Sequence, residues 1–256
     1  MISDKPRIEV ILRTHSTGNV HSGRRVVDEF GSRNELTKRS LRSLINALMV
    51  LEQTSLAQLR LTVLDDHSDE ESVQYLRTSL AACPFATEFI SLPTAGNGPS
   101  LRAAYERGRA SAADLLFFAE DDYLHEPTAL FEMLLTYCSF SQNLNRKEVG
   151  LFPVDYGDRY TEGILPSRIV LGSHRHWRTV QSTTGTFFIP RKTLEDQWQW
   201  FMLFSEHVVE EANLNNVWKN HTIMFSPIPT LAYHLHEENI LPPFTDWKKL
   251  WDSVAV

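Results

Sequence analysis

The first half of the chain alternates short apolar runs with helical patterns. Four runs are rich in β-branched or aromatic residues and predict buried strands, at residues 7–12, 59–64, 88–92 and 115–119. Between the first two runs, leucine and isoleucine recur at helical spacing over residues 35–52. Strands that are apolar at every position and are separated by helices are typical of a parallel sheet covered on both faces. The pattern therefore predicts an α/β fold built on a Rossmann-like, mostly parallel sheet.

The second half is less regular. Its predicted strands are residues 150–154, 169–171, 184–189 and 222–225, and its predicted helices are residues 191–204 and 206–220. No repeat, low-complexity tract or linker-like segment separates the two halves. The sequence therefore predicts a single compact domain over residues 1–256, in which residues 7–130 hold the regular alternation and residues 131–256 extend the same sheet.

Composition and charge narrow the classes of function. The chain has 25 Lys and Arg against 32 Asp and Glu, for a formal net charge of -7. This composition argues against a general nucleic-acid-binding protein, because the chain has no excess of basic residues to neutralise phosphates. Cys83 and Cys138 are the two cysteines and form no CxxC pair, which favours a reducing compartment. Because the N-terminus lacks a signal-peptide pattern and every apolar run is too short for a bilayer, we expect a cytoplasmic protein without a transmembrane segment, although peripheral membrane contact is compatible with this.

Polar clusters follow three of the predicted strands. Arg13 and Thr14 follow the first strand, Asp65 and Asp66 the second, and residues 120–122, Glu-Asp-Asp, the fourth. Ligands of open parallel sheets bind at the carboxyl ends of strands, where these clusters meet. Gathered carboxylates are costly without a cation, and hard oxygen ligands suit Mg²⁺ or Mn²⁺, which can hold a diphosphate. Each acidic cluster has an alternative explanation as a helix cap or a solvated turn.

Two weaker candidates lie near these clusters. The Gly-rich loop around Asn97 and Gly98 precedes a predicted helix and would let the backbone approach a nucleotide, or it is an ordinary turn. Arg13 and Arg102 could contact a phosphate or a base. The alternative for both arginines is an exposed or ion-paired side chain.

The order of these segments resembles the nucleotide-binding half of glycosyltransferase family 2, which has the GT-A fold. The resemblance lies in RIEVILRTHS, LTVLDDHSDEES and GNGPSLRAAYERGRASAADLLFFAEDDYLHEPTAL, spans residues 7–130 and continues weakly to about residue 240. FFAEDDYLHEP is similar to the family's DxD region. The resemblance implies an inverting transfer of a sugar from a UDP- or GDP-sugar donor to an acceptor hydroxyl, with Mn²⁺ or Mg²⁺ as cofactor.

The resemblance also implies roles for single residues. Thr14 matches a nucleoside contact, and Asp66, ahead of Asp65, matches the aspartate that reads the base. Asp121 matches the acid near the ribose and Asp122 the metal ligand. Glu120 stands where the family usually has the first aspartate of DxD, so it is a further candidate metal ligand.

Two later positions complete the predicted site. Glu211, or second Glu210, resembles the family's general base, with the alternative that both are ordinary acidic residues at the start of a helix. His234 resembles a late histidine that completes the metal site. It is preferred slightly over His236, and the two would point to opposite sides of a strand, so that at most one binds.

Other classes of protein also fit part of the pattern. A sugar-phosphate nucleotidyltransferase shares the layered fold and the metal-binding acids, but the segment RTHSTGN after the first strand lacks its dense glycine run. A non-catalytic nucleotide- or sugar-binding protein of GT-A type would keep Asp66 and could dispense with Glu211. A further hypothesis is that the polar segment at residues 14–34 closes over the donor.

Overall fold

The regular first half is present as predicted. A computed structural model describes residues 5–17, 31–144, 148–161, 166–236, 240–242 and 244–256. Its first elements are strand β1 (Arg7–Thr14), helix α1 (Arg33–Thr54), β2 (Gln58–Asp65), α2 (Glu70–Ala81), β3 (Ala86–Ser91), α3 (Asn97–Ala110) and β4 (Leu115–Glu120). The four predicted strands of this half are therefore confirmed, with bounds that differ by a few residues.

The second half contains more elements than its pattern predicts. They are β5 (Tyr123–His125), α4 (Ala129–Asn143), β6 (Val149–Leu151), α5 (Asp158–Thr161), β7 (Ile169–Leu171), β8 (His176–Val180), β9 (Phe187–Pro190), α6 (Arg191–Asp196), α7 (Trp198–His207), α8 (Leu214–Asn220), β10 (Ile223–Ile228), β11 (Ala232–His234) and α9 (Trp247–Ser253). The helix predicted over residues 206–220 is wrong in its first part. The chain leaves α7 at Val208, which has a left-handed φ of 47°, and turns through residues 210–213 before α8 begins.

Nine strands of the described chain form one sheet in the order β3-β2-β1-β4-β9-β6-β10-β8-β7. Within this part of the chain, β8 and β9 run against the other seven strands, so the sheet is mostly parallel. The carboxyl ends of β1, β2, β4 and β6 consequently lie at one edge. A separate two-stranded sheet pairs β11 with β5 and places His234 opposite Tyr123.

Both faces of the large sheet are covered, as predicted. Alternate side chains of β1 point to opposite cores: Val10 packs with leucines of α1 on one face, and Ile11 packs with Leu101 and Tyr105 of α3 on the other. A third cluster joins α9 to the start of α1 and to the two-stranded sheet, through Trp247, Trp251 and other buried side chains. In the part of the chain that is described, no helix has the length and hydropathy to cross a bilayer.

Candidate functional site

A cavity of about 360 Å³ opens where β1, β2 and β4 end. Seven of the residues predicted to bind donor or metal lie in its wall: Arg13, Thr14, Asp66, Asn97, Glu120, Asp121 and Asp122. They come together because parallel neighbours finish at the same edge of the sheet, with Arg13 in register with Glu120. The wall also includes His15, which belongs to the polar cluster after the first strand, and Arg33, which the sequence pattern does not single out.

Of the two adjacent aspartates after β2, Asp66 faces this cavity. Its Oδ2 accepts a hydrogen bond of 2.9 Å from the backbone N–H of Gly96, just ahead of α3. Gly96 has a φ of 121°, a conformation that favours glycine. Asp65 is instead held inside the fold, where its Oδ1 accepts from the hydroxyl of Thr14 at 2.9 Å. The geometry thus favours Asp66 over Asp65 as the side chain that a base would meet.

Glu120 is ion-paired with Arg13 at the floor of the cavity. Arg13 Nη2 lies 2.5 Å from Glu120 Oε1, while Arg13 Nη1 donates to Asn97 Oδ1 at 2.7 Å and to the Ser100 hydroxyl at 2.8 Å. Burial raises the pKa of Glu120, and the guanidinium of Arg13 opposes that shift. Arg13 and Glu120 are therefore fixed against each other, so Glu120 is not presented as an isolated metal ligand.

Asp121 is a buried carboxylate that fastens α1 to the end of β4. It accepts hydrogen bonds from the backbone N–H of His15 at 2.8 Å and from the hydroxyl of Thr37 at 2.7 Å, and it is ion-paired with Arg33. Burial lowers the pKa of Arg33, but the charges of Asp121, Asp122 and Glu120 outweigh it and raise the pKa above its usual value. Asp121 thus keeps the cavity wall in place, in addition to any contact with a ribose.

Asp122 and His234 face each other at the end of the two-stranded sheet, where Asp122 precedes β5 and His234 ends β11. His234 Nε2 lies 3.4 Å from Asp122 Oδ2, and both side chains are mostly buried. The other ring nitrogen, Nδ1, is 2.9 Å from the hydroxyl of Tyr156, and the ring stacks on Tyr123 at 4.4 Å between centroids. A histidine whose second nitrogen is held by a neighbour is oriented as metal-binding histidines usually are.

The separation of Asp122 and His234 fits two ligands of one divalent metal ion. Ligand bonds of about 2.1 Å place two donors of one ion roughly 3–4 Å apart, which matches their separation. One carboxylate and one imidazole suit an ion that takes its other ligands from phosphate and water oxygens. Among the described residues, no group of three or more His, Cys, Asp or Glu is arranged to hold a metal by itself. An ion bound here would take two ligands from the described residues, Asp122 and His234.

Besides Asp65, two predicted donor contacts lie outside the cavity wall. Arg102 is on the surface of α3, where it forms an exposed ion pair with Glu206 at 2.8 Å. Gly98 packs against α7, since a Cβ at this position would lie 2.5 Å from the carbonyl oxygen of Ser205. Arg102 thus matches the ion-paired arginine of the alternative explanation, and Gly98 allows two helices to pack closely.

The two glutamates proposed as general base differ in their surroundings. Both lie in the turn before α8 and not in its first helical turn. Glu211 is exposed, whereas Glu210 is partly buried and its carbonyl accepts from the backbone N–H of Asn215 at 2.8 Å. Besides burial, the negative charge of Glu210 contributes to the raised pKa of Glu120. Partial burial and this influence on Glu120 favour Glu210 over Glu211 as the candidate base, and neither glutamate is among the residues of the cavity wall. The hypothesis about residues 14–34 falls largely outside the described residues, which omit 18–30.

Comparisons with known proteins define the class of fold. No protein-family model matches the chain, and no curated protein matches it in sequence. The solved structure of GalNAc-T7 with UDP, GalNAc and Mn²⁺ is 11% identical, covers 93% of this chain and 46% of its own, and has a TM-score of 0.52. The likeness to GalNAc-T7, a GT-A glycosyltransferase, confirms the predicted GT-A fold.

Two further solved structures match at lower TM-scores. S. aureus TarS 1-349 in complex with UDP is 14% identical, with a TM-score of 0.46, over 86% of this chain and 57% of that one. The inositol-1-phosphate CTP transferase from T. maritima is 12% identical, with a TM-score of 0.45, over 98% of this chain and 97% of that one. The chain spans about half the length of the TarS and GalNAc-T7 structures that it matches.

Proposed function

We propose that the protein is a metal-dependent glycosyltransferase that moves a sugar from a UDP- or GDP-sugar to an acceptor hydroxyl with inversion at the anomeric carbon. The observation that carries the proposal is the meeting of Thr14, Asp66, Asp122 and their neighbours in one cavity at the carboxyl edge of the sheet. Nucleotides bind at this edge in open α/β sheets. GalNAc-T7, which shares the fold, was solved with ligands of the proposed classes.

In the proposed complex, the donor lies along the carboxyl ends of the strands. Thr14 and Asp66 would contact the nucleoside. Arg13 lies in the same cavity wall, and its guanidinium would contact a phosphate oxygen. Asp122 and His234 would hold Mn²⁺ or Mg²⁺. When bound, the ion would neutralise the negative charge that grows on the nucleoside diphosphate as it leaves.

The proposed general base is Glu210. Its carboxylate would accept the proton of the acceptor hydroxyl as that oxygen attacks the anomeric carbon. A new C–O bond forms while the bond from the anomeric carbon to the diphosphate oxygen breaks, so the electron pair leaves with the nucleoside diphosphate. The wall formed by Arg13, Glu120 and Asn97 is fixed by hydrogen bonds beforehand, which limits the reorganisation needed during transfer.

A donor panel with one matched pair of variants tests this function. The purified protein is incubated with UDP- and GDP-sugars and Mn²⁺, and release of nucleoside diphosphate is measured with and without chelator. We expect slow, metal-dependent release by the wild type and its loss in Asp122→Ala. The control is Asp114→Ala, since Asp114 is an exposed aspartate paired with Arg7 at the opposite end of β4 and should not affect release.

Other outcomes of the panel would contradict the proposal. Formation of pyrophosphate from a nucleoside triphosphate and a sugar phosphate would identify a nucleotidyltransferase. Nucleotide binding without turnover, with acceptors supplied, would identify a non-catalytic binding protein. Equal release by Asp122→Ala and the wild type would show that Asp122 holds no catalytic metal.

A further inference from the structure

A second cavity, of about 260 Å³, lies beside β8 and α5. Its charged lining residues are two arginines, Arg159 and Arg178, and its other polar lining comes from Ser167, Thr179, Gln181 and Ser182. No carboxylate is among the described residues of its wall. In a protein with a net charge of -7, a cavity with cationic walls is a local exception.

Arg159 forms no ion pair within the described chain, although the charges of Asp155 and Asp158 act on it from a greater distance. Its Nη1 donates to the hydroxyl of Ser226 at 2.7 Å and to the carbonyl of Val154 at 3.3 Å, and its Nη2 donates to the carbonyl of Ser182 at 3.4 Å. All of these acceptors are neutral, and within the described residues no carboxylate oxygen lies within ion-pair distance of the guanidinium. Burial lowers the pKa of Arg159, although nearby acids oppose that shift. A partly buried charge whose hydrogen-bond partners are neutral is costly unless a ligand supplies the opposite charge.

Arg178 adds a second guanidinium, and only some of its hydrogen-bond donors have partners among the described residues. Its Nη2 is 3.0 Å from Asp155 Oδ1, while its Nε is buried and has no hydrogen-bond partner among the residues described. Asp155 also accepts a hydrogen bond from the hydroxyl of Tyr160. The Asp155 carboxylate is therefore shared, and Arg178 retains a donor for a further acceptor.

This cavity adjoins the proposed metal ligands through a single side chain. Tyr156 follows β6, whose carboxyl end lies at the same edge of the sheet as that of β4. The hydroxyl of Tyr156 is 2.9 Å from His234 Nδ1, and its ring lies 5.4 Å from the Arg159 guanidinium carbon. A molecule held by the two arginines would therefore sit one residue away from the place where sugar transfer is proposed.

We propose that this cavity binds an oxyanion carried by the acceptor, a phosphate or a carboxylate, and so selects anionic acceptors. Guanidinium groups favour both anions because they donate parallel hydrogen bonds to paired oxygens. The assignment of the anion to the acceptor rests on the proposed function. The binding of the anion itself does not depend on it, and that part is tested without a donor.

The test is calorimetric titration of the full chain with inorganic phosphate, in chelator and at constant ionic strength, without any nucleotide. We expect saturable binding to the wild type and at least about tenfold weaker binding to Arg159→Gln, since a charge-assisted hydrogen bond is lost. The matched control is Arg102→Gln, which removes an arginine from an exposed ion pair and should bind phosphate as the wild type does.

A second pair of variants leaves both arginines in place. Gln181 is an exposed residue of the cavity wall. Gln181→Lys should tighten phosphate binding and Gln181→Glu should weaken it, each by roughly threefold, because a unit charge is added near the anion. Opposite responses of these two variants support the site even if Arg159→Gln folds poorly.

The alternatives are separated by one further variant and by the choice of anion. Loss of phosphate binding in Arg13→Gln, with Arg159→Gln unaffected, would place the anion in the nucleotide cavity and overturn the proposal, as would absence of saturable binding. Glycerol 3-phosphate and glucuronate, with glucose as the neutral control, distinguish a phosphate from a carboxylate. Anion binding without any sugar transfer would leave this site standing and contradict the proposed function instead.

Discussion

Charged side chains are paired differently on the two sides of the candidate site at the carboxyl edge of the sheet. On the side proposed to bind the nucleotide (the nucleotide side), where β1, β2 and β4 end, Glu120 is paired with Arg13 and Asp121 with Arg33. On the side proposed to bind the acceptor (the acceptor side), beyond β6, Arg159 forms no ion pair within the described chain, and Arg178 shares Asp155 with a tyrosine hydroxyl.

This difference indicates where each side obtains its stability. Charges that are paired within the chain fix the shape of the nucleotide cavity before any ligand arrives, which favours catalysis by a preorganised site. A cation left with neutral partners costs stability until an anion binds. Removal of an ion-pair partner is therefore expected to destabilise the nucleotide side. Binding of an anion is expected to stabilise the acceptor side.

Removal of Arg33 should give the largest effect on stability. Arg33→Ala leaves Asp121 buried without its cation, and breaking a buried ion pair in this way costs about 3–5 kcal/mol. The measurement is urea unfolding at neutral pH. Arg102→Ala, which breaks an exposed pair, is the control and should cost about 1 kcal/mol or less. Similar losses for both variants would show that the Arg33 pair is not a structural support of the nucleotide side.

The adjacent glutamates before α8 give the next largest effect, on catalysis. Glu210→Gln should reduce sugar transfer by about 10²-fold, the size expected for loss of a general base, with little change in donor binding. Glu211→Gln is the matched control, because its side chain is exposed and its change in charge is the same. Both variants are assayed for transfer and for nucleotide binding. A selective loss in Glu211→Gln would restore the residue that the sequence preferred and contradict the geometric assignment.

The regular half of the fold could be predicted because its signal is local. Apolar runs such as LLFFA in β4 and the leucine spacing of α1 contain the information for strand and helix within a few residues. The elements around β5 and β11 could not be predicted in this way. Each has three residues, and their pairing joins Tyr123 to His234 across more than a hundred positions of the chain.

The residues of the candidate site likewise include some that local sequence patterns predict and others that they do not. Strand ends could be located from the sequence, so the residues at the ends of β1, β2 and β4 were expected to meet, and they do. Arg33 could not be found, because nothing near it in the sequence reveals its partner Asp121. The surroundings of Gly98 could not be predicted, because a glycine in a loop-like segment has the same local pattern whether it approaches a ligand or, as here, the backbone of another helix.

A smaller effect on stability is expected from His125, a polar side chain that, like Arg159, forms no ion pair within the described chain. His125 of β5 is buried between α1 and β4, and neither of its ring nitrogens has a hydrogen-bond partner among the described residues. Burial lowers the pKa of His125 to about 3. In the unfolded chain an imidazole has a pKa of about 6.5, so between these values the unfolded state binds a proton that the folded state does not.

The sign of this linkage is that stability falls as the pH is lowered below about 6.5, by up to 1.36 kcal/mol per pH unit. From pH 7 to pH 5 the contribution of His125 amounts to about 2 kcal/mol. His125→Leu should remove that part of the pH dependence, measured as the difference between variant and wild type in urea unfolding at pH 5, 6 and 7. His221→Leu, at an exposed position, should leave the slope unchanged. An unchanged slope in His125→Leu would mean that the buried ring takes up a proton within the fold, and the contrast between satisfied and unsatisfied groups would then not extend to β5.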